Sequence, residues 1–564
     1  MNNQVSSIPS PATIPSFEKP GKELDRPLVD FPPSVWGDYF LEYKCDDKII
    51  DDYNKQVEGL KEEVRRMLIE AASTASEKMD LIDAVIRLGV GYHFEIEINK
   101  AIEELFNARV FNDNDDLHSV SLHFRLLRQH GYNASSDVFS KFKDDKGKFK
   151  SSLSADVPGM LSLYEATHLR VHDEDILDEA LEFATYHLKN ILATQVSSHL
   201  TREIGQALVQ AYHKGMPRLE TIRYIPLYEE SEKRNEVLLK FAKLDYYLLR
   251  SLHLKELSEI TEWWRNLDFA TKLPYVRDRV VENYFWTLGV YFEPKYSFGR
   301  ILTTKMTTIA VLLDDTYDAY GTVEELQLFT DVYKGSLWWD VSTIDHLPEY
   351  MQFAYRVISD FFDEIEKYLI KKRSSYRLHY SKETIKGVVR AYFAEAKWCK
   401  ERYVPTTKEY LDVAMVSSNY ITLTVASLLC LGDNVTKEAF DWLAEMPKIL
   451  TASLVICRVM DDIKSHKFEQ QRPHVASVVQ CYTKEHGVSD DEACCELRKM
   501  VENVWKDINQ AILKPTPVPM DVLMSSLNYS RVMDVIYKDL DGYTFAHLVI
   551  KDHVKLLLVD PPPM

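Results

Sequence analysis

The residues best suited to chemistry are three aspartates at the end of an apolar run, Leu312-Leu313-Asp314-Asp315-Thr316-Tyr317-Asp318. Met306, Ile309, Ala310 and Leu313 recur at three- and four-residue spacing, which predicts a helix carrying Asp314 and Asp318 one turn apart on one face. Two ionised carboxylates against an apolar interior repel each other and lose hydration, so they need a raised pKa, a basic partner or a cation. No Lys or Arg lies between Lys305 and Lys334, so no local base neutralises them. Oxygen ligands without Cys or His favour Mg²⁺, which keeps several waters and joins carboxylates to substrate phosphates. For such a motif alone, an acidic helix end in solvent is the plainer alternative.

A second row stands far downstream in Arg458-Val459-Met460-Asp461-Asp462-Ile463-Lys464-Ser465-His466-Lys467-Phe468-Glu469. Asp461, Ser465 and Glu469 fall at i, i+4 and i+8 of a helix, three oxygen ligands in one line, and Leu450, Leu454 and Cys457 extend the row as an apolar wall. Two such rows, each closing an apolar helix, make facing cation clamps at one end of a bundle. Arg277-Asp278-Arg279, in an extended or loop segment, has two guanidinium groups that can grip a polyphosphate by forked, charge-assisted hydrogen bonds.

The elements that must position these groups are helices. The 564 residues are 46% hydrophobic with only 18 Gly, amphipathic segments rich in Leu, Glu, Lys and Ala recur throughout, and alternating runs are nearly absent. An all-α chain follows, and nucleotide-binding α/β folds are excluded. The net charge of −19 argues against nucleic acid or an anionic membrane as partner. Seven Cys, scattered and without zinc spacing, suit a reducing compartment. No signal-like leader and no apolar run near the ~20 residues of a membrane helix is seen, so a cytosolic protein without membrane insertion is expected.

Three parts are expected along the chain: a tail and arm over 1–35, a helical block over 36–243 and a second over 244–564. The break is placed where Pro226 and the charged run Glu229 to Arg234 interrupt the helices. Pro27, Pro32 and Pro33 keep Arg26 to Trp36 extended, as a linker or as a cap. Gly321 reads as the residue after the acidic helix, and Thr322-Val323-Glu324-Glu325 as a capping box starting the next. Asp113-Asn114-Asp115-Asp116 has the D-x-D-D form of a general acid, but an aspartate N-cap is the favoured reading.

Together, D-D-T-Y-D, D-D-I-K-S-H-K-F-E, R-D-R before the first and R-P-x₈-W near the start resemble the plant terpene synthases that ionise an allylic diphosphate. The likeness extends through F-R-L-L-R-Q-H-G-Y, L-P-Y-V-R-D-R-V-V-E and Asp541-Gly542-Tyr543-Thr544. It implies a two-domain, all-α enzyme with an N-terminal α-barrel as scaffold and a C-terminal class I terpenoid-synthase α-bundle as catalytic domain. It also implies three Mg²⁺, with Mn²⁺ as a substitute, on Asp314, Asp315, Asp318, Asp461, Ser465 and Glu469, with Asp314 and Asp318 the stronger ligands of the first set. Arg277, Arg279 and Arg458 hold the diphosphate with the ions. Trp286 and Tyr543 face the carbocation, while Thr307, Ala310, Val311, Ser417, Ser418 and Asn419 shape the cavity, core packing being the alternative for these.

Tyr537, Asp541 or the released diphosphate takes the final proton, and the arm closes the mouth. The expected activity is a cytosolic, monomeric sesquiterpene synthase on farnesyl diphosphate. The alternatives are a monoterpene synthase on geranyl diphosphate and a silent prenyl-diphosphate-binding protein. A chain-elongating prenyltransferase is disfavoured because its second clamp would be D-D-x-x-D. Three departures stand out: the D-x-D-D run without the extra domain that completes such a site, a long turn over Lys334 to Asp340, and Pro473 where the family has Gly.

Overall fold

The structure, a computed structural model, describes residues 26–44, 47–70, 74–108, 116–194, 199–334, 344–432 and 434–561. Regular structure among these is helical, apart from one isolated bridge between Lys143 and Phe149. Residues 113–115 and 335–343 lie outside the described residues, so the D-x-D-D run is seen only at Asp116. There the aspartate caps Leu117–Gln129, its carboxylate accepting the Ser119 N–H at 2.8 Å.

The helices are interrupted within the charged run rather than at Pro226. Pro217–Glu230 runs through Pro226, and the chain breaks at 231–235 instead. Residue 243, the expected boundary, falls inside Glu236–Leu267, a continuous 32-residue helix. That helix packs on Asp47–Glu70 and also on Val280–Val290 and Ser297–Asp318, so one core runs from Phe40 to Leu558 across it. A smaller core is confined to the region from Leu117 to Ala211.

Ser297–Asp318 is the central helix of the second block. Its N-terminal turn is fixed by Arg300, which is fully buried and donates two 2.8 Å hydrogen bonds to Glu256 on Glu236–Leu267. Being surrounded on all sides, the helix must hide its own hydroxyls: Thr304, Thr307, Thr308 and Thr316 each donate to the carbonyl four residues earlier, at 2.6–3.0 Å. Val280–Val290, Tyr376–Glu401, Tyr420–Leu429, Lys448–Glu469 and Met520–Tyr537 enclose a space with it.

Two local features shape that space. Gly289 lets Val280–Val290 approach Met520–Tyr537 closely, since a Cβ there would meet Val532 Cγ2 at 2.5 Å. Asn419, at φ +63°, ends Thr407–Ser417 and starts Tyr420–Leu429, a left-handed residue that Asn tolerates. Thr407–Leu429 is long and apolar enough to cross a membrane by composition, with 61% of the window buried within the protein, and it contributes to the cavity lining.

Candidate active site

A cavity of about 570 Å³ opens at the ends of the two acidic helices, within the range of small-molecule sites. Of the expected residues, Arg277, Trp286, Thr307, Ala310, Val311, Asp314, Asp318, Ser417, Ser418, Asn419, Arg458, Asp461, Glu469, Tyr537, Asp541 and Tyr543 line it. Asp315, Ser465 and Arg279 do not.

Each acidic pair is split between two tasks. In the first helix Asp314 faces the cavity, while Asp315, 1% exposed, turns into the wall and holds Arg277 through its Nε at 2.8 Å and its backbone N–H at 2.8 Å. Arg277 also ion-pairs with Asp314. In Lys448–Glu469 the pattern repeats: Arg458 pairs with Asp461 at the cavity and, at 2.6 Å, with the buried Asp462. Asp462 is fixed further by the Tyr410 hydroxyl at 2.8 Å and the Val478 N–H at 2.6 Å. Asp315, expected among the metal ligands, stands outside the cavity lining against Arg277, and burial pushes its pKa up to about 6 against that arginine.

The first row lacks local bases, as the sequence shows, but bases reach it from elsewhere. Arg472 donates to Asp318 Oδ2 at 2.5 Å, and His474 Nε2 stands 3.1 Å from Oδ1 and its Nδ1 3.8 Å from Glu469. Burial disfavours the charge on Asp318, yet His474 and Arg472 outweigh it and hold the carboxyl well below the usual range. Burial also favours a neutral His474, and Asp318 and Glu469 reverse that, pushing it up to about 10. Asp461 and Glu469 move the other way: burial raises both, with crowding by neighbouring carboxylates adding to it.

The donor set fits a hard cation. Asp314, Asp318, Asp461 and Glu469 present oxygens into one cavity, and Ser465, 2% exposed in the row between Asp461 and Glu469, has an Oγ with no hydrogen-bond partner. Among the described residues no three His, Cys, Asp or Glu side chains form a closed cage. Facing clamps completed by substrate oxygens and water are the Mg²⁺ arrangement rather than the zinc one.

Beyond the clamps the wall is aromatic. Trp286 meets Tyr420, Tyr537 and Tyr543 edge to face, at centroid distances of 6.0, 6.4 and 5.4 Å. Tyr543 is set by its hydroxyl on Asn283 at 2.8 Å, and Asp541 caps its own loop by accepting the Tyr543 and Thr544 N–H groups at 3.1 and 2.9 Å. Pro27 and Phe31 of the arm reach the mouth, with the Phe31 ring 4.5 Å from the Arg277 guanidinium. Arg26 is anchored by two hydrogen bonds to Glu325 and one to the Tyr320 carbonyl.

Two family descriptions match the chain: the terpene synthase N-terminal domain over residues 35–208 and the terpene synthase metal-binding domain over 265–507. It is 52% identical to a (-)-germacrene D synthase of Vitis vinifera over 96% of this chain and 97% of that one. The chain belongs to the terpene synthase family. It is 50% identical to a sesquiterpene synthase of Toona sinensis, covering 98% and 99% of the two chains. The crystal structure of grey poplar isoprene synthase with three Mg²⁺ ions and dimethylallyl-S-thiolodiphosphate superposes with a TM-score of 0.85 at 32% identity, covering 92% and 98%. This terpene synthase is accordingly an all-helical lyase with a metal-binding catalytic domain.

Arg279 departs from its expected part in the diphosphate grip. It is 2% exposed, and its donors go to the carbonyls of Pro32, Asp278, Tyr543 and Thr544, so it ties the arm to the C-terminal loop instead. Sequence reasoning missed Arg472, His474, Tyr420 and Glu395. Glu395 lines the cavity, accepts the Ser417 hydroxyl at 2.6 Å and is pushed up to about 7 by burial. The only sequence signal for Arg472 and His474 was their place just past Glu469.

Proposed function

We propose that this terpene synthase is a sesquiterpene synthase that ionises farnesyl diphosphate with three Mg²⁺, for which Mn²⁺ can substitute, and folds the farnesyl cation into a sesquiterpene. The observation that carries the reading is the facing of two acidic rows, each with its own arginine, across a cavity whose far wall is aromatic. Asp314 and Asp318 on one helix and Asp461, Ser465 and Glu469 on the other would hold the metal. Mg²⁺, when bound, neutralises the charge that develops on the leaving diphosphate. Arg277 and Arg458 turn forked donors to the same oxygens and cost no reorganisation, because Asp315 and Asp462 already fix them. Trp286, Tyr420, Tyr537 and Tyr543 offer π faces to the cation without a strong nucleophile. Phe31 and Pro27 at the mouth keep water from quenching it.

Farnesyl rather than geranyl diphosphate is favoured by the full-length likeness to the Toona sinensis sesquiterpene synthase. The purified chain, incubated with farnesyl or geranyl diphosphate and Mg²⁺, is expected to release diphosphate and a sesquiterpene from the former. Turnover of geranyl diphosphate alone would overturn the substrate, and turnover of neither would overturn the reaction.

A further inference from the structure

Three of the four cavity-facing carboxylates of the two clamps carry an arginine that itself lines the cavity. Asp314 carries Arg277, Asp461 carries Arg458, and Asp318 carries Arg472. The three arginines come from three places: the segment before Val280–Val290, one turn ahead of Asp461 within Lys448–Glu469, and the segment just after that helix. Arg277 and Arg458 have the diphosphate as their expected partner. Arg472 stands in the same relation to its carboxylate, and the arginine expected to complete the grip, Arg279, is committed to four carbonyls.

We propose that Arg472, assisted by His474, is the third diphosphate-binding arginine of this site. The inference rests on the reading of the cavity as a prenyl-diphosphate site. Arg472 already reaches both Asp318 oxygens, with Nη2 to Oδ2 at 2.5 Å and Nη1 to Oδ1 at 3.5 Å, and its Nε–H is buried without an acceptor. A guanidinium with a spare donor in a cavity wall is poised for a second anion, and its planar fork matches phosphate oxygens. His474 Nε2 stands 3.1 Å from Asp318 Oδ1, and its Nδ1 lies 2.9 Å from the Val475 carbonyl and 3.8 Å from Glu469, so the ring sits between the ends of both acidic helices. If cations take Asp318 and Glu469 as ligands, these two side chains lose their present partners, and the diphosphate is the anion then within the same cavity. Pro473 between them limits the backbone freedom of the segment, which keeps both cations at the mouth. The sequence departure at Pro473 thereby gains a use.

The test is calorimetric titration of inorganic diphosphate into the full chain at saturating Mg²⁺, with a separate Mg²⁺ titration for each protein. Loss of a charge-assisted contact predicts that R472Q binds diphosphate about tenfold to a hundredfold more weakly, with R472K recovering part of the loss and H474Q losing less than R472Q. A residue that only orients Asp318 would shift the Mg²⁺ midpoint and leave diphosphate affinity at saturation unchanged, which would overturn the proposal. Circular dichroism checks each variant, and if R472Q fails to fold, R472K and H474Q carry the decision: wild-type diphosphate affinity in both overturns it. Wild-type protein that does not bind diphosphate with Mg²⁺ would instead overturn the diphosphate reading of the cavity itself.

Discussion

Substitution of Gly289 by Ala tests how closely the cavity's shape is set by helix packing. The new Cβ would lie 2.5 Å from Val532 Cγ2 and 2.6 Å from Met216 Cε. Met216 can swing its terminal methyl aside, but Val532 is β-branched and sits on a buried helix, so the backbone must give. Restoring an ordinary contact of about 3.5 Å needs a shift of about 1 Å between Val280–Val290 and Met520–Tyr537. Overpacking of this kind costs about 1–3 kcal/mol, and the gain of Ala over Gly in a helix offsets about 1 kcal/mol of it. The net loss of about 0–2 kcal/mol lowers the melting midpoint by about 1 °C per kcal/mol for a chain of this length. Trp286 is three residues before Gly289 on one helix and Tyr537 is on the same helix as Val532, so the same shift changes the 6.4 Å spacing of those rings. The arginines and acidic rows lie on other elements and stay in place. G289A is therefore expected to keep diphosphate release within a few-fold of wild type while its sesquiterpene mixture, read by gas chromatography and mass spectrometry, changes composition. An unchanged mixture with a lowered melting point would refute the link from Gly289 to the cavity, and so would loss of diphosphate release.

Asp314→Asn should weaken Mg²⁺ binding and abolish turnover, whereas Asp315→Asn should leave the Mg²⁺ midpoint nearly unchanged and weaken diphosphate binding through Arg277; calorimetry of each ligand separates the two. Arg26→Gln removes a forked, part-buried contact to Glu325 worth about 1 kcal/mol, and the share of alcohols among the products should rise as water enters; an identical alcohol fraction would count against the arm as a water barrier. Glu165 is pushed up to about 7 by burial, against Arg125 and Arg87, with the Tyr212 N–H at 2.9 Å and Asp83 nearby. Its folded pKa is above the ordinary 4.5, so the stability it contributes is complete below about pH 4.5 and is lost as the pH rises through about 7. The melting midpoint of Glu165→Gln should fall less than that of wild type across this window, and parallel curves would contradict the assignment.

The helical class and both acidic rows were legible because i, i+4 spacing on an apolar helix fixes a face before any tertiary contact is known, whereas the cavity-lining positions were reached only through the family resemblance. What stayed hidden depended on chain direction or on distant partners. The pairing of Arg277 with Arg279 assumed an extended segment, in which alternate residues share a side. Arg279 instead sits at the N-cap of Val280–Val290, at φ −130° and ψ 26°, and the turn sends it away from the cavity. Pro226 read as a break, yet a proline inside Pro217–Glu230 is carried by the packing around it. The boundary expected near 243 falls within Glu236–Leu267, and a helix that serves two blocks has no compositional seam.

The two acidic rows are built on one plan, and the plan answers the problem that crowded carboxylates pose. In Asp314-Asp315 and Asp461-Asp462 the second residue, about 100° round the helix, is 1% exposed; Asp315 stands outside the cavity lining, while Asp462 borders the cavity beside Asp461. This buried aspartate grips an arginine, and that arginine reaches back to the first aspartate of the pair. The pair thus places a fixed positive charge beside each exposed carboxylate, which offsets the repulsion between the rows. Asp318 has no adjacent aspartate to recruit a guanidinium in this way. It obtains one from Arg472, and the histidine that accompanies it, His474, spans to the opposite row. If the second aspartate of each motif acts by positioning its arginine, replacing it is felt at the diphosphate before it is felt at the metal.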